Sequence, residues 1–232
     1  MKSVLLRLAG PLQSWGTQGR FEIRDTDREP SKSGILGLVG SALGMERDDH
    51  DMLARLRALR LAVRVDREGT PLHDYHTVGG GTFGGRPHGV WSIQEGRMQS
   101  ETALTQRYYL ADASFLAALG GSDESTVLAI AHALQRPVWP LFLGRRACPP
   151  SEPVFAGVID GDPEDAVRLA PMMAAERAVA PERVRIVVES TAAEGSPRQD
   201  DPEAFDLYDR RHGLRYVRYD FIARDSLPEA AP

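Results

Sequence analysis

The order in which two kinds of periodicity alternate constrains this chain more than any single residue. Residues 2–9 carry the apolar run Val4-Leu5-Leu6-Arg7-Leu8 of a strand. Ser31 or Ser33 can cap a glycine-rich helix across 34–44, and Asp49–Leu59 places Met52, Leu53 and Leu56 on one helical face. Leu61–Val65 alternates as a half-buried strand does, and Arg67–Pro71 supplies the turn that ends it. Ser114–Leu119 reads as a further strand. Asp123 or Ser125 opens a helix across Thr126–Leu134, and Val138–Leu143 reads as the strand after it. With 73–110 set aside, the order over 2–143 is β-α-β-β-α-β plus one short helix. That is the split-βαβ, ferredoxin-like (RRM-like) order of an α+β domain.

The segment 73–110 breaks the pattern. It runs from HDYHTV through GGGTFGGRPHG at 79–89 and back through TQRYYL at 105–110, as a long inserted hairpin with a mobile tip does. Beyond a proline-rich join at Cys148–Pro153, the sequence predicts a helix at 163–176, strands near 183–190 and 214–223, an acidic loop at 194–206 between them, and a frayed SLPEAAP end. The expected organisation is a ferredoxin-like domain at 1–150 with a thumb inserted at about 73–110, and a C-terminal α/β extension at 151–232 packed on it. No repeat is visible.

Composition excludes several classes. Net charge is −5, against a protein that coats nucleic acid along its whole surface. No apolar run approaches 18 residues, and Cys148 is the only cysteine, so a cytoplasmic setting without membrane attachment is expected. Of the 28 basic residues only Lys2 and Lys32 are lysine; the rest are arginine, whose planar fork suits phosphates and bases, although a GC-rich genome gives the same bias.

Three motifs fail on context. Gly79–Gly84 matches G-x-G-x-x-G, but Gly85-Arg86-Pro87 follows where a dinucleotide fingerprint needs a helix. His73 and His76 lie three apart in a strand, hence on opposite faces, and no cysteine or histidine cluster completes a metal site, so no metal or other cofactor is expected. Gly213, Val217 and Tyr219 echo the RNP1 pattern only in part; a plain amphipathic strand is the simpler reading, though Arg210, Arg211, Arg215 and Arg218 would make it basic.

The first loop carries more chemistry. Gln13, Ser14, Trp15, Arg20, Arg24, Lys32 and Ser33 offer neutral donors, cations and one stacking face, and they run into a helix N-terminus that favours a phosphate. Glu22, Asp25, Asp27 and Glu29 interleave with them, so a solvated loop with local ion pairs is an equal reading. Trp15 is either a plug over the core or a platform for a flat ligand.

LLRLAGPLQSWGTQGRFEIRDTDREPSKSGILGLVGSALG at 5–44, DYHTV at 74–78, TQRYYLADASFLAAL at 105–119, RPVWPLFLGRRACPPSEPVFAG at 136–157 and RRHGLRYVRYDFI at 210–222 together resemble the CasD family. These are Cascade subunits of type I-E CRISPR systems that hold the 5′ handle of the guide RNA. The resemblance implies a ferredoxin-like fold with a thumb, and contacts with the crRNA handle, the Cascade backbone subunit and the large PAM-reading subunit. It implies no nuclease activity. A related type I-C protein does cleave its RNA through a Tyr/Lys/His set, but no lysine lies near His76 here. The expected handle contacts are Gln13, Ser14, Trp15, Arg20, Arg24, Lys32 and Ser33, Arg107 and Tyr108 at the thumb base, and Arg145 and Arg146. Gly80, Gly81, Phe83 and Arg86 at the thumb tip would meet the adjacent backbone subunit. The rival is a metal-independent endoribonuclease with His76 and Tyr75 as acid and base.

Overall fold

The sheet at the centre of the molecule owes its place to strands that are apolar on both faces. The computed structural model describes residues 1–17, 22–87, 89–92, 96–99, 102–206 and 209–230. In chain order the elements are β1 (Lys2–Ala9), β2 (Leu12–Gln13), β3 (Ile23–Arg24), α1 (Lys32–Leu43), α2 (His50–Arg57), β4 (Arg60–Arg67) and β5 (Thr70–Val78). Two short ribbons follow, β6 (Thr82–Phe83) with β7 (Arg86–Pro87) and β8 (Val90–Ser92) with β9 (Arg97–Gln99). Then come β10 (Ala103–Ala111), β11 (Ser114–Gly121), α3 (Glu124–Gln135), β12 (Phe155–Asp160), α4 (Pro163–Leu169), α5 (Ala174–Val179), β13 (Arg183–Ser190), β14 (Ser196–Ala204) and β15 (Arg211–Ala223).

Seven strands form one antiparallel sheet in the order β12-β1-β11-β4-β13-β15-β14. Alternate residues of β1 serve opposite cores, as the two-residue period of a strand requires. Val4, Leu6 and Leu8 pack with Ile35, Val39, Val127 and Ile130 of α1 and α3, while Leu5 packs with Ala166, Val167 and Met172 on the other side. The second layer is tied down by Arg64 of β4, which is 0% exposed. Its Nη1 donates to the carbonyls of Val167 (2.9 Å) and Ala170 (2.6 Å), its Nη2 to that of Pro171 (3.1 Å), and its Nε to Asp66 Oδ1 (2.6 Å). A buried guanidinium needs such complete pairing.

Four expectations are corrected. Val138–Leu143 is not a strand: Pro137 and Pro140 interrupt it, and the amides of Val138 and Trp139 instead donate to Ala42 and Ser41 at the end of α1. The edge beside β1 is taken by β12. The helix expected at 163–176 is two, α4 and α5, divided around Pro171. The loop expected at 194–206 contains the edge strand β14, with register irregularities beside Arg198 and Pro202. The tail is pinned through residue 230, with Leu227 buried and Met172 exchanging backbone hydrogen bonds with Pro228 and Ala230. Among the described residues, no helix is long and apolar enough to cross a membrane.

A separate antiparallel pair, β5 with β10, leaves the main sheet between β4 and β11. On the other side of β10 lie β2, antiparallel, and β3, parallel. This small sheet joins the first loop to the inserted hairpin.

Candidate nucleic-acid interface

Trp15 is 1% exposed, so the plug is the arrangement found. Its Nε1 donates to Gln13 Oε1 (3.0 Å), and Gln13 Nε2 donates to the carbonyls of Leu8 and Ala113 (both 2.8 Å). Gln13 is thus consumed inside the fold. Ser14, 3% exposed, donates to the Tyr108 carbonyl (3.1 Å). Two glycines make room: a Cβ on Gly34 would sit 2.8 Å from the Trp15 ring, and one on Gly144, at φ +89°, would sit 1.7 Å from the Ser14 carbonyl oxygen. Gln13, Ser14 and Trp15 therefore brace the loop from within rather than face a ligand.

The start of α1 is likewise occupied. Ser31 Oγ caps Gly34 N, and the Lys32 amide donates to Asp200 Oδ2 (2.9 Å). The helix N-terminus expected to hold a phosphate holds a carboxylate of the chain's own β14. Burial pushes Asp200 up, but Arg215, in contact at 2.5 and 2.8 Å, and the Lys32 amide outweigh it and hold the carboxyl below its ordinary value. Lys32, 5% exposed, directs its ammonium to Glu189 (2.9 Å) and to the Arg57 carbonyl (3.0 Å). Ser33 is half-buried, with its hydroxyl 3.4 Å from that of Ser31.

Two of the interleaved loop acids pair outside the loop. Asp27 pairs with Arg198 (3.1 Å), and Glu29 pairs with Arg185 (2.6 Å) and Arg198 (2.8 Å), arginines of β13 and β14. Among the described residues, Arg24, Arg28, Arg107 and Arg146 form no ion pair with a carboxylate. Arg28, exposed in the same loop, is a further cation beyond the expected contacts. Arg20 lies outside the described residues.

The small sheet aligns two of these cations. Arg24 on β3 is directly opposite Arg107 on β10, so both occupy one face. Arg145 braces that junction. Its guanidinium donates to the carbonyls of Arg24 (2.7 Å), Asp25 (2.9 Å) and Tyr108 (3.2 Å), and it lies over the Tyr109 ring at 5.0 Å. Carbonyls satisfy its protons without neutralising its charge, so it adds positive potential beside Arg24. Arg146 is exposed next to it. The opposite face carries Tyr108, stacked on His73 at 4.6 Å, together with Gln106, Ile23 and Tyr75, the last two 54% and 61% exposed. His73 is a stacking partner that spacing alone did not single out.

At the tip, Phe83 is 80% exposed, Arg86 is exposed, and Gly80 and Gly81 have φ of 106° and 77°. His76 Nδ1 lies 3.4 Å from Asp74 Oδ2. Tyr75 and His76 are consecutive in β5 and point to opposite faces, so the acid–base pair of the endoribonuclease reading does not converge on one phosphate. Three of the four arginines expected to make β15 basic are neutralised, Arg215 by Asp200, Arg218 by Glu164 and Arg211 by Asp209, while Arg210 has no carboxylate partner among the described residues.

Comparison with known proteins places this geometry among relatives. Residues 3–218 match the family model described as CRISPR-associated protein (Cas_Cas5). The chain is 40% identical over 177 residues to the CRISPR system Cascade subunit CasD of Escherichia coli (strain K12), covering 71% of this chain and 75% of that one. A chain of a solved CRISPR RNA-guided surveillance complex superposes with a TM-score of 0.80 at 35% identity, covering 97% of this chain and 92% of that one. A solved Cas protein superposes with a TM-score of 0.72 at 32% identity, covering 99% and 100%.

Proposed function

The chain belongs to the CRISPR-associated Cas5 family, and from that premise we propose that it is a non-catalytic RNA-binding subunit of a type I-E Cascade. In this reading it holds the 5′ handle of the crRNA, meets the adjacent backbone subunit through the tip of the 73–110 thumb, and contacts the large PAM-reading subunit. The β-α-β-β-α-β set whose strands lie in the order β12-β1-β11-β4 is its ferredoxin-like part. Base pairing by the guide supplies sequence recognition in such a complex, and the protein's task is to fix the guide's backbone and ends.

The observation that carries the proposal is the alignment of Arg24 with Arg107, beside Arg145 and Arg146, with Asp27 and Glu29 of the same loop drawn away to Arg198 and Arg185. A chain of net charge −5 thus keeps a local cationic strip. Arg24, Arg28, Arg107 and Arg146 are the assigned phosphate contacts. Tyr108, stacked on His73, is the assigned contact for a splayed base. Gln13, Ser14, Trp15 and Arg145 hold the loop in shape.

The test is co-expression with a CRISPR array and the companion Cascade subunits. Wild type should co-purify with RNA of uniform 5′ end, and the Arg24→Glu/Arg107→Glu pair should lose that RNA while retaining its thermal midpoint. Cleavage of repeat RNA by the purified chain in EDTA, abolished by His76→Ala, would overturn the proposal.

A further inference from the structure

Two of the open edges among the described strands are built differently. One outer edge of the main sheet, β14, carries Pro197 and Pro202, two register irregularities, and Asp200, Asp201 and Glu203. These are the features that stop an edge from pairing with another chain. β5 has almost none of them. It is nine residues long, pairs with β10 in unbroken register from Thr70↔Ala111 to Val78↔Ala103, and contains no lysine or arginine. Its one proline, Pro71, is the second residue. Among the described residues nothing pairs with its outer side. Leu72, Tyr75 and Val78 are 40%, 61% and 39% exposed along it. Alternate residues of such a strand turn their N–H and C=O outward, so β5 presents a regular row of donors and acceptors.

We propose that the outer edge of β5 receives an extended segment of a neighbouring protein subunit as an added strand. The inference rests on the reading that this chain works inside a multisubunit ribonucleoprotein. A row of alternating donors and acceptors at strand spacing is matched by another backbone, whereas RNA phosphates offer acceptors alone. A second copy of this chain is a poor occupant: full-length antiparallel self-pairing of residues 70–78 sets Asp74 directly against Asp74, and like charges directly opposite are destabilising. The same position states what the added strand needs. It has a lysine or arginine facing Asp74 and an apolar residue two places away facing Leu72, and its other face turns an apolar or aromatic residue toward Tyr75.

The probe is the complex co-expressed with a CRISPR array and the companion subunits, measured by hydrogen–deuterium exchange against the chain bound to synthetic handle RNA alone. Peptides spanning 70–78 should exchange at least tenfold more slowly in the complex than with RNA alone. Single prolines at His73, Asp74, Tyr75 and His76 should divide by parity. Those replacing an outward N–H should keep the thermal midpoint and lose partner retention, and those replacing an inward N–H should lower the midpoint. Equal exchange in the two samples, equal protection by RNA alone, or protection that grows with concentration of the isolated chain would each overturn the inference. Failure to co-purify with RNA of uniform 5′ end would count against the handle-binding reading instead, so the two are read separately.

Discussion

Replacing Trp15 by alanine tests the central claim about the first loop. The ring is 1% exposed, contacts the α1 backbone at Gly34, and gives its N–H to Gln13. Truncating a buried aromatic to alanine costs about 3–5 kcal/mol. It also leaves Gln13 Oε1 without its donor, while Gln13 Nε2 continues to bridge Leu8 and Ala113. Against a total stability of about 5–15 kcal/mol this is a large fraction. With an m of about 3 kcal/mol/M in urea, the midpoint followed by circular dichroism should fall by about 1–2 M. Trp15→Phe, which keeps most of the ring and loses the N–H, should lose less, about 1–3 kcal/mol. In a Trp91→Phe/Trp139→Phe background, where Trp15 is the only indole, handle RNA should leave the emission maximum unchanged. A midpoint for Trp15→Ala within about 0.3 M of wild type, or a shift of Trp15 emission on adding RNA, would refute the buried-brace assignment.

Three further outcomes follow from the structure. Gly34→Ala should destabilise by about 1–3 kcal/mol because its Cβ meets the Trp15 ring at 2.8 Å, whereas Gly37→Ala, with nothing within 4 Å, should gain up to about 1 kcal/mol; paired urea titrations compare them. Asp200→Ala leaves Arg215 and the Lys32 amide without their acceptor in a site that is itself 0% exposed, and should cost about 3–5 kcal/mol. Because the folded Asp200 carboxyl is held below its ordinary value, its contribution is full above the unfolded carboxylate pKa of about 3.9 and is lost as pH falls below that; urea midpoints should decline more steeply below pH 4 in wild type than in Asp200→Asn. Finally, Arg24→Ala/Arg107→Ala should reduce the slope of log K against log salt for handle RNA by about 1.4, the value for two single-strand phosphate contacts, with no change in thermal midpoint.

Much of the architecture could be read from local pattern because local pattern causes it. Ser31 and Gly44 end α1 through contacts within a few residues, and Val4 to Leu8 shows its two-faced burial directly in its apolar run. Val138-Trp139 misled because composition favours a strand while the prolines on either side deny it ladder hydrogen bonds. Site assignments were less legible for a different reason. Lys32 looked like a phosphate ligand, but its amide partner Asp200 is 168 residues away, and spacing reveals nothing at that distance. Arg24 and Arg107 were visible as cations; the parallel register that makes them neighbours was not. The burial of Trp15 depends on Gly34 and Gly144 against its ring, and Gly144 lies too far along the chain for local pattern to reveal it.

The clamp of Asp27 and Glu29 onto Arg198 and Arg185 has a consequence for the order of synthesis. Its members are 156 to 171 residues apart. At about 5–20 residues per second, a ribosome takes roughly 8–34 s to make that stretch. During that interval the first loop has emerged, but Asp27 and Glu29 have not met Arg198 and Arg185. Asp27 and Glu29 therefore gain their arginine partners only once β13 and β14 have been made.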